Sequence, residues 1–306
     1  MSAKSTHDGV EVWTLTTPDG AVRASIVPQF GALVASLVFR GRELLYQHPF
    51  FWEQQTERTR GGFPFLFPVC GRLERNGQAG AYAYDDQIYQ MKIHGFSSRL
   101  PWTVRGNPTD AELVLTLTDT PATRDQYPFG FEVALRFKVM ADLFRIEQEY
   151  RNRGAAPMPY YAGFHPYFLT PEPGHGKEQT KVDFRAMRRL LYNERLTDVV
   201  GRTDPPQFPA DVSDPAINEN LTVVEESNEM RLILPDGLTV QMKAEGVEDP
   251  KLFPYVQLYT MPDRPFFCIE PWMAFPNALN TVRGARWLAP GQAEHGVLSV
   301  WTTTRG

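Results

Sequence analysis

Four side chains of this sequence could carry out proton transfer and substrate binding: Arg72, His94, His165 and Glu270. Histidine exchanges protons near neutral pH, and a glutamate among apolar residues has either a raised pKa or a partner. A guanidinium group offers a planar set of donors to an oxygen-rich ligand. Together these residue types could supply a general acid, a general base and a substrate anchor.

The segments around these residues are rich in proline and aromatic side chains. They read RGGFPFLFPVCGRL around Arg72, KIHGFSSRLPW around His94, YYAGFHPYFL around His165 and FFCIEPWMAFPNALN around Glu270. A residue before proline is pushed toward an extended backbone, and aromatic rings stack on the apolar face of a sugar ring. Taken singly, the histidines also fit hydrogen-bonded core positions and Glu270 a structural ion pair. Their combination favours one site that binds a sugar.

Several familiar motifs are absent. The sequence lacks a phosphate-binding P-loop, and the similar Gly174–Lys177 segment is too short and lies in a loop. It also lacks the dinucleotide-binding glycine pattern, Cys-x-x-Cys, the His-Glu-x-x-His of zinc proteases and the Gly-x-Ser-x-Gly of serine hydrolases. Nucleotide-dependent, metalloprotease and serine-hydrolase activities therefore lose support.

Composition and charge exclude further classes. The 306 residues include 31 Lys and Arg against 36 Asp and Glu, with no basic tract, so nucleic acid is not an expected partner. No apolar run approaches the length of a membrane span, and the polar start lacks the apolar core of a signal peptide. We therefore expect a cytoplasmic protein without a membrane partner. Cys70 and Cys268 are interpreted as buried thiols.

The alternation of apolar and polar residues predicts an all-β fold with little helix. Phe131–Val139 alternates strictly, as a half-buried strand requires. Two Pro-Asp-Gly turns, at 18–20 and 235–237, separate pairs of alternating segments and so predict antiparallel hairpins. The 26 prolines and 23 glycines punctuate such segments without alternating helices, which favours a sandwich or barrel.

The chain shows no internal repeat and no shift in composition, so we predict a single domain over residues 1–306. Two Pro- and Gly-rich stretches, 171–179 and 201–215, are interpreted as long surface loops. Residues 183–194 have apolar positions at roughly helical spacing and fit either a short helix or a strand.

The ordered motifs FPVCGR, HGF with a later PW, HPYF and EPW resemble the aldose 1-epimerase (galactose mutarotase) superfamily, from about residue 11 to the C-terminus. The resemblance implies a large antiparallel galactose mutarotase-like β-sandwich with an open sugar cleft. It also implies an isomerase that interconverts the α and β anomers of a free aldohexose, a monosaccharide substrate, and no metal or organic cofactor.

The resemblance assigns roles to individual residues. Glu270 would be the base on the C1 hydroxyl and His165 the acid toward the ring oxygen, while His94 and Arg72 hold the sugar. The family's substrate-binding aspartate has its nearest match in Asn218. The candidate aromatic platforms for the sugar are Tyr259, Trp272 and Phe275.

Three other functions fit the sequence. A hexose-6-phosphate 1-epimerase would use Arg60 and Arg99 for the phosphate group. A non-catalytic carbohydrate-binding protein could keep the fold without turnover, although binding alone does not require two histidines and a glutamate. A glycosidase or polysaccharide lyase would need a second carboxylate near Glu270. The sequence does not indicate the oligomeric state.

Overall fold

The structure, a computed structural model, describes residues 3–53, 61–225 and 229–304. The described chain is dominated by antiparallel strands, which form three large sheets and three two-stranded pairs. The prediction of an all-β antiparallel sandwich with little helix is therefore confirmed. Within the described ranges there are two α-helices of one turn each, Pro121–Arg124 and Ala278–Thr281. Short 3₁₀ helices occupy Pro28–Phe30, Ser97–Arg99, Lys177–Gln179 and Pro215–Ile217.

The largest sheet has nine strands in the described chain and forms one layer of the sandwich. Its third strand, Phe131–Met140, confirms the alternation seen in the sequence, because Phe131, Val133 and Leu135 are fully buried while Arg136 faces solvent. In spatial order its strands are Thr103–Arg105, Glu112–Thr118, Phe131–Met140, Leu143–Asn152, Ala293–Thr304, Leu238–Gly246, Glu229–Ile233, Lys181–Asp183 and Ala210–Asp211.

A second sheet packs against this layer and carries the candidate site. The ring of Phe67, beside its edge strand, lies 5.1 Å from that of Phe131, and the ring of Phe65 lies 6.2 Å from that of Tyr150. In spatial order the described strands of this second sheet are Val199–Thr203, Ala186–Tyr192, Asn220–Val224, Tyr255–Tyr259, Phe266–Trp272, Gly163–Phe164 and Phe65–Leu66, and Tyr167–Leu169 also pairs with Phe266–Trp272.

A third sheet is formed by the N-terminal part of the described chain. Its five strands follow one another in sequence: Ala3–His7, Val10–Thr16, Val22–Val27, Leu33–Phe39 and Arg42–Glu43. The remaining strands form the pairs Glu74–Arg75 with Gln78–Ala79, Ala81–Tyr84 with Gln87–Gln90, and Met158–Tyr160 with Arg286–Leu288. One hydrophobic cluster contains residues of all three large sheets. The single domain over residues 1–306 stays a prediction.

Both predicted hairpins are present, while one of the two loop predictions needs correction. Val10–Thr16 pairs with Val22–Val27, and Glu229–Ile233 pairs with Leu238–Gly246. The stretch 201–215 is not a continuous loop, because it contains the end of one strand and the short strand Ala210–Asp211. Residues 186–192 form a strand whose register shifts near each end. These irregularities break the two-residue alternation and explain the helix-like spacing in the sequence.

The two cysteines are free and fully buried, as predicted. Cys70 donates its thiol hydrogen to the carbonyl of Ala274, with 3.4 Å between sulfur and oxygen. Burial is the main reason why the pKa of each thiol is raised. No helix in the described ranges is long and apolar enough to cross a membrane.

Candidate active site

A cleft of about 790 Å³ opens over the second sheet and contains the four side chains with which the sequence analysis began. Its floor is the central strand of that sheet, Phe266–Trp272, and its walls come from loops and from the N-terminal sheet. Residues of the inner part of the cleft are Pro64, Leu66, Gly71, Arg72, Ile93, His94, His165, Tyr167, Tyr192, Glu219, Gln257, Tyr259, Glu270 and Trp272.

Strand register places His165 opposite Glu270. Gly163 pairs with Trp272, and Tyr167 pairs with Cys268. His165 is midway between the first members of these pairs and Glu270 is midway between the second members, so the two residues lie opposite each other. Pro166 lacks an N–H, and the strand is interrupted at that point. The two side chains come within 3.3 Å of each other, from Nε2 of His165 to Oε1 of Glu270.

Glu270 is almost fully buried, with 1% of its surface exposed. The indole N–H of Trp272 donates to its Oε2 at 3.2 Å and fixes the orientation of the carboxyl group. Burial raises the pKa of Glu270 well above its ordinary value, and the negative charge of Glu219 raises it further. The Trp272 hydrogen bond opposes this shift. A glutamate with a raised pKa is suited to exchange protons near neutral pH.

His165 is held between aromatic rings. Its ring stacks on Tyr167 with a centroid distance of 4.6 Å, and Tyr259 approaches edge-on at 6.0 Å. Its backbone N–H donates to the carbonyl of Pro64 at 3.0 Å. Nδ1 is buried without a hydrogen-bond partner among the described residues. Burial lowers the pKa of His165 to about 3.

His165 and Glu270 are best treated as a pair that shares protons. Burial favours the neutral form of both groups, so the pair holds one proton over a wide pH range. That proton can reside on the carboxyl group or on Nε2, since the two atoms are 3.3 Å apart. Such a pair can give a proton to one atom of a substrate and take one from another.

His94 lies next to this pair and is oriented by Gly71. The Gly71 N–H donates to Nδ1 of His94 at 3.0 Å, and the His94 N–H donates to the Gly71 carbonyl at 2.9 Å. Because Nδ1 accepts, the proton of the neutral imidazole is on Nε2, which then acts as a donor. The rings of His94 and His165 are 5.5 Å apart. The next residue, Gly95, has no room for a side chain, because a Cβ there would lie 2.2 Å from the Phe67 carbonyl oxygen.

Glu219 is a carboxylate of the cleft close to Glu270, and it lies next to the predicted Asn218. Asn218 is outside the described lining, and its Oδ1 accepts the backbone N–H of Thr260 at 2.9 Å. Glu219, the next residue, adopts a positive φ of 50° and turns into the cleft. Burial raises the pKa of Glu219, and the charge of Arg72 partly offsets this effect. Arg72 itself is exposed on the cleft wall.

Gln257 and Tyr192 complete the floor and were not predicted from the sequence. Gln257 pairs with Glu270 across the sheet and is 3% exposed. Its Oε1 accepts from the Tyr192 hydroxyl at 2.6 Å, and its Nε2 donates to Glu219 at 3.3 Å. The signal that could have identified Gln257 is its position as the single amide in the otherwise apolar strand YVQLY.

The predicted aromatic platforms separate into two groups. Tyr259 and Trp272 line the cleft, whereas Phe275 is not part of its described lining. The strand ends at Trp272, so its alternation does not extend to Phe275, which packs edge-on against Tyr255 at 5.6 Å and under the guanidinium of Arg283 at 5.3 Å. Phe275, predicted as a platform for the sugar, thus lies outside the described lining of the cleft.

The two arginines considered for a phosphate group also differ. Arg99 lines the cleft, but its terminal nitrogens donate to the backbone carbonyls of Ile93 and Gly95, at 3.2 and 2.6 Å for Nη1. These bonds fix the loop that carries His94. Arg60 lies outside the described residues.

One cluster of side chains in the described chain has the composition of a metal site. His165, Cys268 and Glu270 place a nitrogen, a sulfur and an oxygen atom within 4.8 Å of one another. Burial raises the pKa of the Cys268 thiol well above its ordinary value, and the thiolate is the form that binds metals. The thiol would therefore have to release its proton on binding a metal ion.

Comparisons with known proteins agree with this fold. The family model described as aldose 1-epimerase matches residues 11–300. The chromosomal LacX protein of Lactococcus lactis subsp. lactis is 22% identical, over 75% of this chain and 79% of that protein. A solved protein from Synechocystis sp. is 26% identical with a TM-score of 0.84, and covers 100% of both chains. A galactose mutarotase related enzyme from Lactobacillus acidophilus is 21% identical with a TM-score of 0.80, over 96% of this chain and 97% of that one.

Proposed function

The chain belongs to the aldose 1-epimerase family, and from this membership and its cleft we propose that it interconverts the α and β anomers of a free aldohexose. The family and the fold support a carbohydrate epimerase. The free sugar as substrate, the ring-opening mechanism and the residue roles are our proposal. We expect the reaction to take place in the cytoplasm and to need no cofactor.

The observation that carries the proposal is the 3.3 Å distance between Nε2 of His165 and Oε1 of Glu270. Ring opening removes a proton from the C1 hydroxyl and adds one to the ring oxygen, and both oxygens are bonded to C1. The acid and the base must therefore reach neighbouring atoms from the same side. Two carboxyl groups of a glycosidase, in contrast, stand about 5–9.5 Å apart on either side of C1.

Each step of the proposed reaction balances. Glu270 takes the proton from the C1 hydroxyl, the C1–O5 bond breaks, and His165 gives its proton to O5. The product is the open-chain aldehyde, with a carbonyl at C1 and a hydroxyl at C5. Rotation about C1–C2 presents the other face of the carbonyl, and the reverse transfers close the ring as the other anomer.

The protonation state of the pair fits this cycle. Ring opening begins with ionised Glu270 and protonated His165 and ends with both neutral, which is the state that burial favours. The total number of protons on the pair stays at one throughout. Ring closure by the reverse transfers restores ionised Glu270 and protonated His165. A direct transfer over the 3.3 Å between Oε1 and Nε2 can interconvert this form with the neutral pair.

The other polar groups of the cleft would bind and polarise the sugar. The Nε2–H of His94 and the exposed guanidinium of Arg72 are donors for the oxygens on which charge develops. Glu219, held by Gln257, can accept hydrogen bonds from sugar hydroxyls. Trp272 positions the Glu270 carboxylate and also lines the cleft.

Polarimetry tests the proposal. The purified protein is added to freshly dissolved α-D-glucose, α-D-galactose and α-D-glucose 6-phosphate, and the approach to the equilibrium rotation is compared with buffer alone. Acceleration with a free hexose supports the proposal. Sugar binding without acceleration would identify a binding protein instead, and a strong preference for the phosphorylated sugar would identify a hexose-6-phosphate epimerase.

The pH dependence should reflect the shared proton. Because burial lowers the pKa of His165 to about 3, a second proton enters the pair only in strong acid. We therefore expect kcat/KM to stay level as the pH falls through about 6.5, where an ordinary histidine titrates. Activity should fall at alkaline pH, where the pair loses its one proton. The raised pKa of Glu270 determines the pH of this loss. An acid limb near the ordinary histidine value would contradict the assignment.

Glu219 should control the alkaline limb. Its charge raises the pKa of Glu270, so Glu219→Gln is expected to lower that pKa and to move the alkaline limb to lower pH. The measurement is the pH profile of kcat/KM for wild type and variant. Glu225→Gln is the matched control, because Glu225 is half exposed and pairs with Arg185 away from the cleft. An unchanged alkaline limb in Glu219→Gln would show that the two carboxylates are not coupled.

A further inference from the structure

Lys177 is a buried cation that no step of the proposed reaction uses. It begins the short 3₁₀ helix Lys177–Gln179, directly after the glycine-rich segment 174–176, and only 2% of its surface is exposed. Lysine is almost never fully buried unless its ammonium group has partners. Lys177 is outside the described lining of the cleft, so contacts within the protein, rather than a contact with the sugar, must explain its burial.

The partners of this ammonium group all belong to one turn, residues 260–265. Nζ of Lys177 donates to Oγ1 of Thr260 at 3.0 Å, to the carbonyl of Met261 at 2.6 Å and to the carbonyl of Arg264. An ammonium group has three hydrogens and no acceptor, so these three bonds use its full donor capacity. A shift of the turn would leave buried donors without acceptors, and the bonds therefore fix the position of the turn.

The turn joins two strands that form the floor of the cleft. The strand Tyr255–Tyr259 precedes it, and the strand Phe266–Trp272, which carries Glu270, follows it. Thr260 also reinforces this junction, because its hydroxyl donates to the carbonyl of Phe266 at 2.7 Å. The position of the turn therefore affects both strands.

The turn also contacts the segment that places Glu219 in the cleft. The backbone N–H of Thr260 donates to Oδ1 of Asn218 at 2.9 Å. The next residue, Glu219, has a positive φ of 50°, which is uncommon for a residue other than glycine. Such a conformation persists only where the surrounding structure holds it, and the bond between Asn218 and Thr260 does so at the preceding residue.

Glu219 connects this chain of contacts to the proposed chemistry. Its carboxylate lines the cleft and accepts from Nε2 of Gln257 at 3.3 Å. Its charge raises the pKa of Glu270, an effect that depends on the distance between the two carboxyl groups. A displaced Glu219 would therefore lose both its place beside the sugar and its influence on Glu270.

We propose that Lys177 is a positioning residue of the epimerase, which holds Glu219 in the cleft through the turn 260–265 and Asn218 without touching the sugar. This inference rests on the proposed function, in which Glu219 accepts hydrogen bonds from sugar hydroxyls. A lysine that only stabilised the fold would affect the Tm but not the part of sugar binding that depends on Glu219.

The experiment measures kcat and KM by polarimetry with α-D-glucose or α-D-galactose, whichever the wild type converts faster. Lys177→Met keeps an unbranched side chain of similar length and removes all three donors. KM should rise about tenfold, the effect of losing one hydrogen bond to a charged group, and kcat should change less. Lys181→Met is the matched control and should keep the wild-type KM, because Lys181 is exposed and pairs with Asp211.

A double variant tests whether Lys177 acts through Glu219. Lys177→Met combined with Glu219→Gln should have about the KM of Glu219→Gln alone, because the carboxylate that Lys177 positions is already absent. Asn218→Ala breaks the same connection further along and should raise KM as Lys177→Met does. Losses that multiply in the double variant, or a wild-type KM in a folded Lys177→Met, would overturn the inference. Thermal melting shows which variants are folded at the assay temperature.

Two further outcomes are covered by the same set of variants. If Lys177→Met does not fold, Asn218→Ala decides, because Asn218 is only partly buried. If no sugar is epimerised, the proposed function fails, and ¹³C NMR of the glutamate carboxyl groups still tests the positioning. The pKa of Glu270, assigned by the signal lost in Glu270→Gln, should then fall in Asn218→Ala as it does in Glu219→Gln. An unchanged pKa of Glu270 in Asn218→Ala would overturn the inference.

Discussion

Glu270→Gln is expected to lower kcat for mutarotation by about 10²–10⁴-fold, the usual contribution of a positioned general base. Glutamine keeps the size of the side chain and can still accept the Trp272 hydrogen bond, but it cannot take a proton from the C1 hydroxyl. KM should change less than kcat, because the reaction loses proton transfer rather than the contacts that hold the sugar. The measurement is polarimetry with α-D-glucose at saturating concentration.

A stability measurement separates a lost base from a lost fold. Burial is the main reason why the folded-state pKa of Glu270 is raised above its unfolded value. The contribution of Glu270 to the free energy of unfolding is therefore fully present below the unfolded pKa, and it is lost as the pH rises through the folded pKa. Glutamine does not titrate and escapes this loss. The Tm of Glu270→Gln relative to wild type should therefore rise with pH. Wild-type kcat in a folded Glu270→Gln would contradict the assignment of the base.

Sequence alone identified the side chains that we propose as acid and base, but not all of those that surround them in the cleft. Glu270 and His165 could be predicted because each stands out among apolar, proline-containing segments, and the strand register then places them opposite each other. The cleft residue Glu219 lies one position after the predicted Asn218. Its orientation depends on a positive φ of 50° just before the strand Asn220–Val224, and a sequence does not reveal such a backbone turn.

The N-terminal wall of the cleft could not be predicted for a different reason. It comes from the N-terminal sheet, where Val10, Phe30 and Leu33 carry no reactive group and match no motif. These residues line the cleft because the bridge between Val34 and Phe63 joins that sheet to the segment beside His165. A contact between residues so distant in sequence follows from tertiary packing, whereas the alternation of apolar residues predicts only the local strand.

His165→Asn is expected to lower kcat by a similar factor of about 10²–10⁴, because O5 then loses its proton donor. Asparagine retains a polar side chain, but the ring that stacks on Tyr167 at 4.6 Å is lost, so thermal melting must accompany the kinetics. His175→Asn is the matched control, since it makes the same substitution at an exposed histidine in a loop. Wild-type kcat in a folded His165→Asn would exclude this histidine as the acid.

The double variant His165→Asn, Glu270→Gln distinguishes a pair that acts as a unit from two independent groups. If one proton is shared over the 3.3 Å between Nε2 and Oε1, removing either partner already abolishes the exchange. The double variant should then be no slower than the slower single variant, as is found for groups that act together. Losses that multiply would mean that each group contributes separately. In that case the shared proton would be the wrong description, and the level acid side of the pH profile would lose its explanation as well.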